Sequence, residues 1–479
     1  MYFVGSVLSE EEQASIHRES LQLLAEVGIR FLGDKAAGIL EANGAKVSWE
    51  DRRVRIPPEL VEQALRTAPE NVVFDARNPA LSFTMPSAWT GLGMDGTAAF
   101  VLDFETGERR YGTRKDIENA LRVVQNMDLA VMAWAPTCAS DVRPASRPLH
   151  EFVGMLRSCS KHGEHELHRV DQTPYLAEAL ITLQGSEDAV RTKKIASLIY
   201  CPVAPLTHDG QMLDAYLELG ALDLPVMIMP MPVAGTTGPA SLYSNVVLAN
   251  TETLSAIVVF QMAHPGRPMV YSNAAGVVDF STGRFLAGSA ETALQSAALI
   301  SMGRSYRLPT TSTGCSADAK EPGAQAVLEK TLSSLTGFLT GADMIIGIGE
   351  VDCSQLLVLE QIVVDNEIAH HCQRVRTGID SSEARHLLAD IAEVGPGGHF
   401  LKSRSTRQAA RSGEFTRAGL AERHPYEAWA QQGKPSIYTA ARERVCSILE
   451  GPVVDPLPDD ISGRLDDILR RADAELKED

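Results

Sequence analysis

Residues 225–272 read PVMIMPMPVAGTTGPASLYSNVVLANTETLSAIVVFQMAHPGRPMVYS. The short apolar run Pro225–Met229 stops at a proline. A Gly/Thr loop follows, then the helix-period segment Ala240–Ala263, then a second short apolar run, Pro268–Ser272. Short apolar runs bounded by turn residues read as buried strands, and the long segment between them reads as a helix. Strand, helix and strand in that order form a βαβ unit with parallel strands. The same alternation extends both ways, through the runs Ala130–Ala135, Ile195–Cys201, Pro309–Thr313 and Met344–Ile348. The segments Gln211–Leu219, Ala290–Tyr306 and Pro322–Thr340 supply further helices. Six strands can be placed in a chain with room for eight. The alternation suits a (β/α)8 barrel and equally a doubly wound open sheet. Several runs end in small or polar residues, as in Ser272-Asn273-Ala274 and Ser312-Thr313-Gly314. That is ordinary turn chemistry, and it is also what a shared ligand-binding rim after successive barrel strands would show.

The flanks read differently. Ser9 and Glu12 make a capping box for a helical stretch over residues 8–43. Pro57 and Pro58 suit the start of a helix, and Phe100–Asp103 followed by Glu105–Gly107 suggests a hairpin. Residues 1–115 are expected to form a helical and β-hairpin extension, 116–365 the barrel core, and 366–479 helices that complete and wrap it. The last of these, Asp459–Glu478, is amphipathic and opens after Pro458.

Hydrophobic residues make up 44% and charged residues 22% of the 479-residue chain, as in an ordinary globular enzyme. The net charge of −18 argues against a nucleic-acid partner. No secretion signal opens the sequence, and no apolar run reaches the length of a membrane span. The 7 cysteines are scattered without a CxxC pair, which points to reduced thiols and a cytoplasmic protein.

For chemistry, Cys159, His162, His165 and His168 are the nearest thing to a metal site. Their spacing matches no recognised zinc pattern, so no metal is expected. The loop Met229–Pro239 could bind an anion at a helix N-terminus, but it has neither a GxxxxGK[ST] nor a GxGxxG order. No nucleophile elbow or HExxH is present. Asp95, in Gly93-Met94-Asp95-Gly96, and Glu350, in Gly347-Ile348-Gly349-Glu350, are carboxylates beside glycines and apolar strand ends. A buried carboxylate is costly unless it is paired or functional. A quaternary ammonium could pair with it inside an aromatic cage, for which Tyr200, Tyr243 and Tyr271 are the candidates. Each tyrosine alone is as well explained as a core or rim residue.

Taken together, Leu102–Arg109, Cys201–Leu206, Pro230–Pro239, Ser316–Lys320, Glu393–Leu401 and Tyr426–Trp429 resemble the trimethylamine methyltransferase family over nearly the whole chain. The resemblance implies a (β/α)8 barrel that binds a methylated amine in its mouth. It also implies a cognate corrinoid protein whose cobalamin, not held tightly by this chain, accepts the methyl group. Founding members carry pyrrolysine, and this sequence has none, so it resembles the branch that acts on quaternary amines such as glycine betaine, carnitine or proline betaine. A quaternary nitrogen is already a cationic leaving group, so positioning, electrostatics and exclusion of water suffice. Two other readings remain: methyl transfer directly to tetrahydrofolate, and a barrel that binds betaines without turnover. A homo-oligomer is expected.

Overall fold

The computed structural model describes residues 4–96, 98–416 and 419–478. Eight parallel strands curl into a barrel: β1 (Gly91–Gly93), β2 (Ala130–Ala133), β3 (His162–His165), β4 (Ala196–Tyr200), β5 (Val226–Ile228), β6 (Met269–Tyr271), β7 (Thr311–Thr313) and β8 (Met344–Ile346). They pair in chain order from β1 to β6, β8 returns to β1, and β7 lies on β8. The remaining seam, β6 to β7, closes at a parallel bridge between Tyr271 and Thr310, where the Tyr271 N–H donates to the Pro309 carbonyl at 2.9 Å. Of the two architectures the alternation permitted, the barrel is the one formed.

Parallel neighbours need a crossover between them, and each strand is followed by a helix. These are α1 (Arg114–Gln125), α2 (Arg147–Ser158), α3 (Thr173–Gln184), α4 (Gly210–Glu218), α5 (Leu242–Ala263), α6 (Ala290–Ser305), α7 (Ala324–Thr340) and α8 (Leu359–Thr377). The strands are buried on both faces, against the helices outside and against one another within. Among the described residues α5 alone is long and apolar enough to cross a membrane. Some 94% of its most apolar window is buried inside the protein, so packing accounts for its character.

The barrel begins earlier than the sequence reading placed it. β1 lies inside the segment 1–115 assigned to an extension, and the boundaries at 115 and 365 fall within α1 and α8. β1 escaped notice because Gly91-Leu92-Gly93 carries little apolar bulk. Small residues are needed there: a Cβ on Gly93 would come within 2.9 Å of Met132 Cε and 3.1 Å of Met344 Sδ inside the barrel. The stretch 8–43 is not one helix either. The capped helix Glu10–Gln22 ends in a π turn, and Gly28, at φ +80°, redirects the chain into strand Ile29–Phe31.

At the N-terminal end of the strands, the hairpin of Val72–Phe74 and Phe83–Met85 closes the barrel floor. Phe74 and Phe83 stack 5.0 Å apart, and Phe74 meets His162 edge-on. Helix Ile437–Glu450 packs on α8 and α1, and Asp459–Glu475 on α3 and α2. The seam between β6 and β7 depends on close approach of α6, where a Cβ on Gly303 would come within 2.6 Å of Thr310 Cγ2 and 2.9 Å of the Tyr271 ring. Gly303→Val should therefore cost about 1–3 kcal/mol through overpacking, measured as a lower denaturation midpoint with an unchanged m-value.

Candidate functional site

Strand alternation decides which side chains enter the barrel. On β3 a Cβ on Gly163 would strike Met155 of α2, and His165 stacks on Phe152 of the same helix with Nε2 2.7 Å from the Pro148 carbonyl oxygen. Both residues face outward. His162, Glu164 and Glu166 therefore form an inward row that climbs from the floor towards the C-terminal mouth. By the same logic Ser197, Ile199 and Cys201 face inward on β4 and after it. Met227, Thr311 and Ser272 meet across the interior, with Thr311 Oγ1 2.7 Å from Ser272 Oγ and 3.3 Å from Met227 Sδ.

Asp95 leaves β1 two residues after Gly93, and Glu350 follows β8; both are buried. The Gly96 N–H donates to Asp95 at 2.8 Å, whereas neither oxygen of Glu350 is hydrogen bonded. Burial lifts the Glu350 carboxyl well above the usual range and the Asp95 charge lifts it further. The Ser354 hydroxyl lies close enough to oppose this without reaching hydrogen-bond geometry, and Lys330 opposes it as well. Burial also raises Asp95.

Two further acids complete the inner wall. Glu164 is fully buried with neither oxygen in hydrogen-bond geometry, and burial pushes its carboxyl up to about 8 against the opposing influence of the nearby Ser197 hydroxyl. Burial pushes Glu166 up to about 7, helped by the charges of Glu151 and Asp95. Glu151, on α2, accepts from the Ala139 N–H at 2.7 Å and is likewise pushed to about 7 by burial. The Asp95 charge raises Glu164, Glu166 and Glu350 alike, so the three lie within electrostatic reach of Asp95. Arg147, one turn above Glu151 on α2, makes no ion pair among the described residues, and its Nε is buried without an acceptor.

Glu350 is held by a buried ion pair. Lys330 on α7 meets Asp365 on α8 at 2.9 Å, both wholly buried, and also donates to the carbonyls of Cys315 and Gly347. Asp365 in turn accepts from the Gly349 N–H at 2.7 Å. Gly349, at φ +86°, takes a turn that favours glycine and delivers Glu350 to the mouth.

The expected aromatic cage does not form. Tyr200 and Tyr271 face outward because they alternate with the inward residues of their strands. Tyr200 Oη is 2.7 Å from His208 Nδ1 and its ring meets Phe260 of α5 edge-on, while Tyr271 donates to Asn250 of α5 at 2.8 Å. Tyr243 is on the outer surface and donates to Glu19. Of the five residues singled out from sequence, the structure thus brings Asp95 and Glu350 together and disperses the tyrosines. His162, His165 and His168 do not converge either: one faces in, one faces out, and the third is half exposed beside Glu166. Burial leaves His162 at about 4 and His165 at about 3, both neutral. His162 and His165 lie on a barrel strand, whereas His168 lies beyond its end. In the loop Met229–Pro239 the Gly235, Thr236 and Gly238 amides are spent on local turn bonds. Glu164, Glu166 and Trp134, all facing inward, went unnoticed; the period-two polarity of His162, Glu164 and Glu166 was the available signal.

The trimethylamine methyltransferase family model matches residues 3–477. The chain belongs to that family. It is 28% identical over 467 residues to a trimethylamine methyltransferase of Desulfitobacterium hafniense, spanning 98% of this chain and 94% of that protein. It is equally 28% identical to a glycine betaine methyltransferase of the same species, covering 99% and 98%. The Methanosarcina barkeri monomethylamine methyltransferase superposes with a TM-score of 0.52 over 93% of this chain and 89% of that one; at 11% identity this speaks for the fold alone. The protein is thus a member of a family of methylamine and betaine methyltransferases.

Lys330→Met should cost about 3–5 kcal/mol, because it strands a buried carboxylate. Chemical denaturation checks the figure, and a loss below about 1 kcal/mol would mean that Asp365 is adequately solvated by the Gly349 and Gln361 N–H groups alone.

Proposed function

We propose that this protein moves a methyl group from a quaternary amine in the barrel mouth to the cobalt of a corrinoid carried by a partner protein. The observation that carries the reading is a pair of wholly buried carboxyls, Glu350 and Glu164, with no hydrogen-bond donor on either oxygen. Such groups lack a counter-ion that a ligand can supply. The inward methionines Met132, Met227 and Met344 add soft apolar surface, which suits the methyl groups of a large, weakly hydrated cation. Relatives named for trimethylamine and glycine betaine point to the same substrate class.

The corrinoid, when bound, supplies the nucleophile. This chain's residues bind, orient and keep the site dry. Asp95 and Glu350 act as counter-ions at the mouth, and the methionine walls exclude water from the reacting carbon. That division of labour follows from charge. The positive charge disappears from nitrogen as the methyl leaves, so tight ion pairing favours the ground state, and the acceleration comes from alignment and dryness. A carboxylate close to the cationic head would face the acids. For one carried farther from it, Arg147, which makes no ion pair among the described residues, is the available cation.

The deciding experiment mixes the protein with a reduced corrinoid protein and a panel of quaternary amines and follows the corrinoid spectrum. Methylation of the corrinoid is expected. Methyl transfer to added tetrahydrofolate without a corrinoid would overturn the choice of acceptor, and tight binding without turnover to either would favour a betaine-binding barrel. On the substrate's charge, a unit pair ~4 Å apart is worth about 4 kcal/mol at an effective dielectric of 20. A quarter of that is roughly a fivefold change in affinity. Glu350→Gln should therefore weaken choline-like ligands about fivefold and glycine betaine less, as read by titration calorimetry. Equal losses for both classes would end the charge-selection argument.

A further inference from the structure

Glu164 differs from the other inward acids. Asp95 has the Gly96 N–H and the influence of Lys330, and Glu350 also feels Lys330. Glu166 has His168 at 3.6 Å, and Glu151 has the Ala139 N–H and the charge of Arg147. Glu164 has neither a cation nor an N–H donor among the described residues, and both its oxygens are orphaned in the middle of the barrel. Below it on β3, His162 is neutral, with Nε2 2.9 Å from Ser197 Oγ and Nδ1 2.7 Å from the Asp75 carbonyl oxygen. From β4 it faces Ser197 and the Cys201 thiol, whose own ionisation is strongly suppressed by burial and by these acids. Towards the mouth it faces Asp95, with Glu166 next on its own strand. Among the described residues no positive charge reaches it.

We propose that Glu164 is the floor of the amine site and that a quaternary ammonium enters in exchange for the proton of its carboxyl group. The inference rests on the proposed amine site and adds to it a residue and a requirement on the ligand. An isolated carboxylate in a dry interior among other acids is held neutral. A permanent cation reverses this: the O–H bond breaks, the proton passes to solvent, and the carboxylate becomes the counter-ion. When the methyl group departs, the C–N electron pair stays on nitrogen, the amine is left neutral, and the carboxylate takes a proton back from solvent. At Glu164 itself the charge is thus balanced before binding, during binding and after transfer. A titratable amine can shed its own proton instead, so a permanently charged head is the probe that isolates release from the carboxyl group.

The sign of the stability effect follows from a folded value of about 8 against 4.5 for the free side chain. Between those limits the native state holds a proton that the unfolded state has lost, so this group's contribution to stability falls as pH rises and levels off above about pH 8. Two measurements on the full chain test the proposal. The first is calorimetric titration with tetramethylammonium in buffers of different ionisation enthalpy. Near neutral pH about one proton should be released per cation bound, and affinity should rise up to roughly tenfold per pH unit, flattening above about pH 8. The second is the melting temperature of the ligand-free protein across the same range. In Glu164→Gln, which keeps the shape of the neutral acid, both the proton release and the fall in melting temperature between pH 4.5 and about pH 8 should shrink, and affinity at high pH should drop. Cation binding without proton release, or a Glu164→Gln variant with the wild-type pH slope, overturns the exchange while leaving methyl transfer standing. Failure of tetramethylammonium to bind at any pH removes the amine site itself, and this inference with it.

Discussion

The Lys330–Asp365 pair ties four separate parts of the chain to one point: α7, α8, the loop after β7 through the Cys315 carbonyl, and the loop after β8 through Gly347 and Gly349. A buried ion pair contributes little net stability against an apolar replacement, so its value here is positional. It fixes the last two barrel strands to their helices and sets where Glu350 emerges. It also confines a full positive charge to the far side of that carboxyl, where the charge is already matched by Asp365. The site therefore receives an acid from this arrangement without receiving the cation.

The barrel wall works in the same direction. The lining on β3 is polar at every second position, and the intervening residues spend their chemistry on α2. Because the strand period is two, one acidic residue in register leads to the next, and Glu164 and Glu166 stand one above the other. Neighbouring strands contribute methionine, serine and threonine instead of lysine or arginine. Burial pushes these carboxyls upward, and the charges of neighbouring acids push them further. Such an interior gives up stability for readiness to receive a cation, as binding sites commonly do.

Much of this was legible in the chain. The alternation around residues 225–272 announced parallel βα units, and the glycine settings of Asp95 and Glu350 marked them as carboxylates at apolar strand ends, where both are buried. The misses share a cause. β1 is too small in side chain and β3 too polar for apolarity to reveal them as strands, because both are shaped by the barrel interior and not by the helix layer. The tyrosines were misjudged for the converse reason. Tyr200 and Tyr271 lie on true strands, but their face is set by the parity of the strand register. A slip of one residue in that parity moves a side chain from the pocket to the helix layer, and nothing local to a tyrosine fixes it. Partners distant in sequence do: His208 and Asn250 hold the two hydroxyls outside the barrel.

The chemistry of the interior narrows what could satisfy it. A divalent metal demands converging ligands at short, fixed distances, and among the described residues no three His, Cys, Asp or Glu side chains are gathered that way. A primary ammonium would ask for several directed acceptors and would keep its hydration strongly. A tetraalkylammonium asks for neither. It is large, has no N–H, surrenders its water cheaply, and interacts with diffuse negative charge and with polarisable methionine sulfur. Acids spread around the wall at several heights, unbonded to one another and interleaved with methionine, match that cation better than they match any ion with a tight coordination shell. On the proposed reading, the lack of direct hydrogen bonds to Glu164 and Glu350 among the described residues suits a ligand that donates none.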